Sequence, residues 1–344
     1  MRAVVFAGDG RVRVDTVPDP AVADPQDAVV QVRRAAVCGT DLHAIAHPDG
    51  LPPGTVLGHE FVGEVVAVGP AVTGHRIGDE VFGADYAACG RCWWCRRGDH
   101  WECPERRFFG TGTAFGPSLA GAQAELVRVP FADTTLRAVP VGVPADVAVF
   151  LGDTLATGYA AADRAHIAPG DTVTVLGGGP VGQLTSLAAQ ALGAGVVVLV
   201  EPVATRRELA AGQGAVPAEP EQARTVLDRI TDGRGADAVI DAVGGARALD
   251  TAFALVRRRG TVVSVGVHHD LGWSLPVARA FADELTLRFV VGNALRDGDR
   301  LIALVRSGVI DPTALRPEVV PLDDAPDAYR RMAGRRTLKT LIAV

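Results

Sequence analysis

The sequence predicts a two-domain α/β protein: a mostly-β first domain, a doubly wound parallel sheet after it, and a C-terminal stretch that returns to the first domain. Three observations carry this reading. The chain has 344 residues, more than one ordinary domain. Up to about Val149 it runs in short β-type segments punctuated by Gly and Pro, with little 3.6-residue periodicity. From about Leu151 apolar strands alternate with Ala-rich helical stretches, the signature of a parallel sheet.

In the first domain, residues 1–150, the strand candidates are Ala3–Phe6, Val12–Val14, Val29–Val32, Phe61–Val68, Glu80–Phe82 and Glu125–Val129. In residues 151–292 strands are expected at Thr172–Leu176, Val196–Val200, Ala238–Val243, Thr261–Val265 and Leu285–Val290. Helices are expected at Val181–Leu192 and near Thr205–Ala211, Gln222–Ile230 and Leu249–Val256. Residues 293–344 then show helices near Asp299–Ser307 and Ala325–Met332 and a terminal strand at Thr340–Val344.

Composition excludes several classes of function. With 34 basic and 40 acidic residues the formal charge is −6, and the only lysine is Lys339, so no basic tract exists to meet the phosphates of a nucleic acid. Hydrophobic residues make up 48% and charged ones 22%, which describes a folded chain. No apolar run approaches the roughly 20 residues that span a bilayer. The N-terminal Met1–Ala7 reaches Gly8-Asp9-Gly10 too soon for a secretory segment, and we expect a cytoplasmic protein without membrane or nucleic-acid partners.

Four of the five cysteines crowd into Cys89-x2-Cys92-x2-Cys95-x7-Cys103. One loop can wrap four thiolates tetrahedrally around Zn²⁺, so this segment, the lobe 89–103, reads as a closed structural zinc site. Redox CxxC pairs are the alternative, but the loop lies outside any thioredoxin-like βαβ context. Trp93, Trp94 and Trp101 read as packing around the lobe.

Gly177, Gly179 and Gly182 fill G-x-G-x-x-G in Gly177-Gly178-Gly179-Pro180-Val181-Gly182. The motif follows an apolar strand, opens a helix, and has Glu201 closing the next strand, the context in which a dinucleotide's pyrophosphate meets a helix N-terminus. Glu201 would bond the adenosine ribose and repel a 2′-phosphate, so NAD is expected over NADP, although Arg206 and Arg207 follow closely.

A third set is dispersed: Cys38-Gly39-Thr40-Asp41-Leu42-His43, Gly58-His59-Glu60-Phe61-Val62-Gly63 with Gly69 beyond it, and Gly152-Asp153-Thr154. With the cysteine lobe and the glycine fingerprint in this order, the chain closely resembles the zinc-dependent medium-chain alcohol dehydrogenase family over essentially its whole length. The hallmark G-H-E-x2-G-x5-G is matched from Gly58 to Gly69.

The resemblance implies a GroES-like mostly-β catalytic domain and a Rossmann domain. It makes Cys38, His59 and Asp153 the catalytic zinc ligands, with Glu60 as an occasional ligand. It makes Asp41 the carboxylate that orients His59, and Thr40 and His43 the proton relay. Many members carry cysteine where this chain has Asp153, and aspartate there points to a bacterial, formaldehyde-dehydrogenase-like branch. For the cofactor the resemblance adds Thr157 beside the nicotinamide, Lys339 at the pyrophosphate, and Pro180, Val181 and Arg206 around the nucleotide. Asp85, where relatives carry an apolar or aromatic residue, would favour hydroxyl-rich or cationic substrates.

The implied function is reversible hydride transfer between an alcohol or polyol and NAD, with two zincs per chain and a small alcohol or carbonyl substrate. A homodimer or homotetramer is expected, assembled through the apolar run Leu285–Val291. A zinc-free enone or quinone reductase on the same fold would lack Cys38, His59 and Asp153. A non-catalytic zinc- or nucleotide-binding scaffold would interrupt the pair Thr40 and His43.

Overall fold

A computed structural model describes residues 1–344 and divides them into two units. The first contains Met1–Asp153, Asn293–Arg306 and Arg316–Val344, and the second contains Thr154–Gly292 and Ser307–Leu315. The return of the chain is therefore interrupted, because 307–315 group with the second unit, whereas the sequence reading treated 293–344 as one stretch.

The first unit is built on a seven-stranded sheet. Its strands lie in the order Glu318–Pro321, Thr340–Ala343, Ala28–Val37, Glu60–Val68, Glu80–Gly83 and Leu136–Ala138, with Leu126–Val129 also pairing Ala28–Val37. The long strand Ala28–Val37 is buried along most of its length, and Val30, Val32, Ala35 and Val37 enter one core with Phe61, Val65, Val81 and Phe109. Register positions the chemistry. Thr340 pairs with Val37, and Ala36 pairs with Glu60, so Lys339, Cys38 and Glu60 gather at one end of three adjacent strands.

The second unit holds a six-stranded parallel sheet in the order Val216–Ala218, Val196–Val200, Thr172–Leu176, Ala236–Asp241, Val256–Ser264 and Thr286–Phe289. Strand order reverses beside Thr172–Leu176, and in a doubly wound sheet that reversal opens the ligand crevice beyond the strands' carboxyl ends. The helix Pro180–Ala191 follows at once, with Gly179 as N-cap and Pro180 in its first turn, where a missing N–H costs nothing. Gly182 is obligatory for this close seating, since a Cβ there would lie 1.8 Å from the Gly177 carbonyl oxygen. No helix is long and apolar enough to cross a membrane.

Candidate active site and metal centres

In the first unit, Cys38 ends the strand Ala28–Val37 and caps the helix Gly39–Ala46. His59 immediately precedes the strand Glu60–Val68, which Glu60 opens, and Asp153 follows the buried turn Val149–Gly152. These three segments bring Cys38, His59, Glu60 and Asp153 together, with one donor atom from each within 4.8 Å of the others. Cys38 Sγ lies 3.6 Å from Asp153 Oδ2, and His59 Nε2 lies 3.3 Å from the same oxygen.

The donor set fits a zinc ion. His59 is fully buried, yet neither ring nitrogen makes a well-aligned hydrogen bond within the chain. Burial disfavours a charged ring there, but Asp41, Cys38 and Asp153 outweigh it and raise the His59 pKa well above its ordinary value. Burial also pushes the Cys38 thiol up, and Asp153 adds to this. A cation would neutralise that surplus of negative charge, and one thiolate, one imidazole and one carboxylate leave a position open for a substrate.

Asp41, with no exposed surface, sits behind His59. Its Oδ1 is 3.3 Å from His59 Nδ1, while Oδ2 accepts from the Cys38 amide at 3.0 Å and from Gln123 Nε2 at 3.2 Å. Gln123 also donates to the Ala36 carbonyl and accepts from the Tyr329 hydroxyl at 2.8 Å. This buried chain fixes the ring's orientation. Sequence reasoning found Asp41 and missed Gln123 and Tyr329: Gln123 is a polar residue between alanines, and Tyr329, flanked by Asp327, Arg330 and Arg331, carries no local signal. Thr40 Oγ1 lies 3.8 Å from Cys38 Sγ, and His43, three residues on and exposed, shares its helix face.

Lys339 is placed differently from the pyrophosphate expectation. Its ammonium is 2.6 Å from Glu60 Oε1, and it is 1% exposed. Burial pushes the Glu60 carboxyl up and Lys339 pulls it back, while Glu60 keeps the buried ammonium charged. A lone charge in this interior would be far costlier than the pair, so the sole lysine goes to the acid that the strand register brings to it.

The second cluster gathers Cys89, Cys92, Cys95 and Cys103, their sulfurs again within 4.8 Å of one another. The Cys89 and Cys95 amides point at Cys103 Sγ and Cys92 Sγ, each at 3.4 Å, and the Cys95 amide draws the Cys92 thiol down to about 7. All five cysteines are free thiols, so four sulfurs facing one another match a closed metal site. Asn293 ties the lobe to the helix Ala294–Arg306: its Nδ2 donates to the Gly98 carbonyl and its Oδ1 accepts from the Arg296 amide. Trp101 packs as expected, under the Arg106 guanidinium and against Tyr86, whereas Trp93 and Trp94 are 56% and 41% exposed.

In the second unit the glycine turn fits a dinucleotide. No side chain caps the first-turn amides of the helix Pro180–Ala191, which leaves Val181 and Gly182 at an N-terminus suited to a phosphate. Glu201 closes its strand as expected. Its Oε2 accepts from the Gly178 amide at 2.7 Å and its Oε1 from Val203 at 2.9 Å, and Arg206 Nη1 stands 4.0 Å away. Arg207 turns instead to Glu219 and to the Glu201 carbonyl. Thr157 lies inside the helix Thr154–Arg164, where a Cβ on Gly292 would come within 2.2 Å of its hydroxyl.

Residues 24–140 match the alcohol dehydrogenase GroES-like domain, and residues 180–307 match the zinc-binding dehydrogenase family. "Probable zinc-binding alcohol dehydrogenase Rv1895" of Mycobacterium tuberculosis is 40% identical over 336 residues, covering 97% of this chain and 86% of that protein. The chain belongs to the zinc-dependent medium-chain alcohol dehydrogenase family. As a member it is an oxidoreductase that uses zinc and a nicotinamide dinucleotide. "Zinc-type alcohol dehydrogenase B" of Aspergillus flavus is 35% identical over 99% of this chain and 81% of that protein. Among solved structures, alcohol dehydrogenase TADH from Thermus sp. ATN1 superposes with a TM-score of 0.96 at 39% identity, covering all of both chains. A zinc-binding dehydrogenase from Sinorhizobium meliloti 1021, solved with NADP bound, superposes at 0.85 with 30% identity over 100% of this chain and 99% of that one.

Proposed function

We propose that this dehydrogenase oxidises an alcohol to the aldehyde or ketone, reversibly, by hydride transfer to NAD at a site where Cys38, His59 and Asp153 hold zinc. The observation that carries the reading is the convergence of these three donors in a buried, anionic group with the Thr40 hydroxyl beside it. Zinc held there would polarise the alcohol oxygen and lower its pKa. Asp41 keeps His59 Nδ1 engaged, so that Nε2 faces the metal position. Thr40 takes the substrate's proton and His43 is its outlet to solvent, while Lys339 holds Glu60 back from the open position. The four cysteines of the lobe hold a second, structural zinc.

Several finer assignments rest on this reading. We assign the first unit, residues 1–153, 293–306 and 316–344, to the catalytic domain and the second, residues 154–292 and 307–315, to the dinucleotide domain. NAD is favoured over NADP because the Glu201 carboxylate stands where a 2′-phosphate would have to fit. Self-association is favoured because Thr286–Phe289 is the edge strand of its sheet, with Phe289 63% and Val291 46% exposed beside it. Free thiols favour a reducing compartment, hence the cytoplasm.

The test is a panel of alcohols and ketones with NAD or NADH, followed at the near-ultraviolet absorbance of the reduced cofactor. Turnover that stops when zinc is chelated and returns when zinc is restored supports the proposal. Absence of turnover across primary, secondary and polyhydric alcohols in the zinc-loaded protein would refute it.

A further inference from the structure

The crevice beyond the carboxyl ends of the parallel sheet has two sides. Glu201 closes the strand on one side of Thr172–Leu176, and Ala236–Asp241 and Val256–Ser264 lie on the other. A dinucleotide whose pyrophosphate meets the glycine turn and whose adenosine ribose meets Glu201 lays its nicotinamide half over the turns that follow those two strands. The first of these abuts the glycine turn, since a Cβ on Gly177 would lie 2.7 Å from Val243 Cγ2. The two turns also meet backbone to backbone: a Cβ on Gly244 would lie 2.2 Å from the Val267 carbonyl oxygen, and one on Gly266 would lie 2.2 Å from the Gly244 nitrogen. Val243 and Val267 leave apolar surface uncovered there.

One histidine joins the turns. His268 Nδ1 accepts from the Gly245 amide at 3.0 Å, and Nε2 lies 2.8 Å from Ser264 Oγ, whose hydroxyl donates to Asp241 Oδ2 at 2.7 Å. An amide can only donate, so Nδ1 is the accepting nitrogen and Nε2 carries the hydrogen given to Ser264. Asp241, with no exposed surface, is held in turn by the Val243 and Gly244 amides, each 2.9 Å from Oδ1. Phe289 packs edge-on against the imidazole, with ring centres 5.5 Å apart, and Asp270 adds a second tie by accepting from the Ala246 amide at 2.7 Å. The hydrogen bonds run from Gly245 through the imidazole and the hydroxyl to Asp241, a path that starts and ends on residues 241–245 and passes through 264–268. Neither turn moves without breaking it.

We infer that His268 is a positioning residue for the cofactor: it clasps the turns 241–245 and 264–268 in the arrangement that receives the nicotinamide half of the dinucleotide. The inference rests on the dinucleotide reading of the glycine turn. A site held ready in this way spares the cost of ordering loops at the moment of binding. The adenosine half, on the Glu201 side of the crevice, gains nothing from the clasp.

The experiment measures binding of NADH, and of AMP, which carries the adenosine and one phosphate alone. Calorimetry is run on the zinc-loaded wild type, His268→Ala, His268→Asn and Ser264→Ala, with melting temperatures alongside. His268→Ala should raise the dissociation constant for NADH about threefold to tenfold and leave that for AMP unchanged. His268→Asn, whose side-chain oxygen can stand in for Nδ1, should recover most of the loss. Ser264→Ala, which releases the ring from behind, should weaken NADH in the same direction and spare AMP.

An NADH affinity unchanged in His268→Ala would overturn the assignment. Equal weakening of NADH and AMP would also overturn it, because a general loosening of the unit does not tell the two halves apart. So would a His268→Asn protein that binds NADH no better than His268→Ala. A wild type that binds neither NADH nor AMP would instead remove the dinucleotide reading beneath the inference.

Discussion

Lys339 Nζ lies 2.6 Å from Glu60 Oε1, and the two side chains, 279 positions apart, are both shielded from solvent. Their meeting is a consequence of strand register, since Thr340 pairs with Val37 and Ala36 with Glu60. An ion pair so buried is held by mutual neutralisation, and removing one partner leaves an uncompensated charge.

Lys339→Met should therefore destabilise the fold by about 3 to 5 kcal/mol, whereas Lys339→Arg should lose much less. Urea unfolding of the three proteins checks this. Equal loss in both variants would mean that shape, and not charge, is what Lys339 contributes.

Glu201 should set cofactor choice. In Glu201→Ala the like-charge barrier to a 2′-phosphate disappears while Arg206 remains, so kcat/KM with NADP relative to NAD should rise about tenfold or more. The KM for both cofactors should also rise, because the Gly178 amide loses its acceptor. Steady-state kinetics with each cofactor decides. A wild type that prefers NADP, or a variant with no relative gain, removes Glu201 from this role.

Asp133 links stability to pH. Burial pushes its carboxyl up, but the amides of Thr73 and Gly74 and the Thr73 hydroxyl more than reverse this and hold it below the usual carboxylate range. A depressed folded pKa gives stability that is present above the unfolded value of about 3.9 and is lost as pH falls through the folded one. Asp133→Asn should cost about 1 kcal/mol near neutrality, with the gap to wild type closing as the solution is acidified. A gap independent of pH would mean that the charge is not its source.

Sequence patterns that depend on near neighbours were legible. The strands Thr172–Leu176 and Val196–Val200 lie at the residues their apolar runs mark, and the glycine turn and the cysteine lobe stand where their spacing puts them. The helix Gly39–Ala46 was not foreseen, because it buries only Asp41 and Ile45 and shows no apolar stripe. The helix Thr154–Arg164 is obscured for the opposite reason: it is buried on nearly every side, so no polar face marks its period. Contacts such as Tyr329 on the helix Ala325–Ala333 to Gln123 in a loop, 206 positions apart, are products of tertiary packing, and no local pattern announces them.

The central claim is that Cys38, His59 and Asp153 hold a zinc separate from the one in the cysteine lobe, and metal analysis of purified wild type beside Asp153→Asn tests it most directly. The wild type should carry about two zincs per chain, and Asp153→Asn, which removes the anionic donor, should retain about one and lose alcohol turnover. One zinc in the wild type, or two zincs with full turnover in Asp153→Asn, would contradict the account.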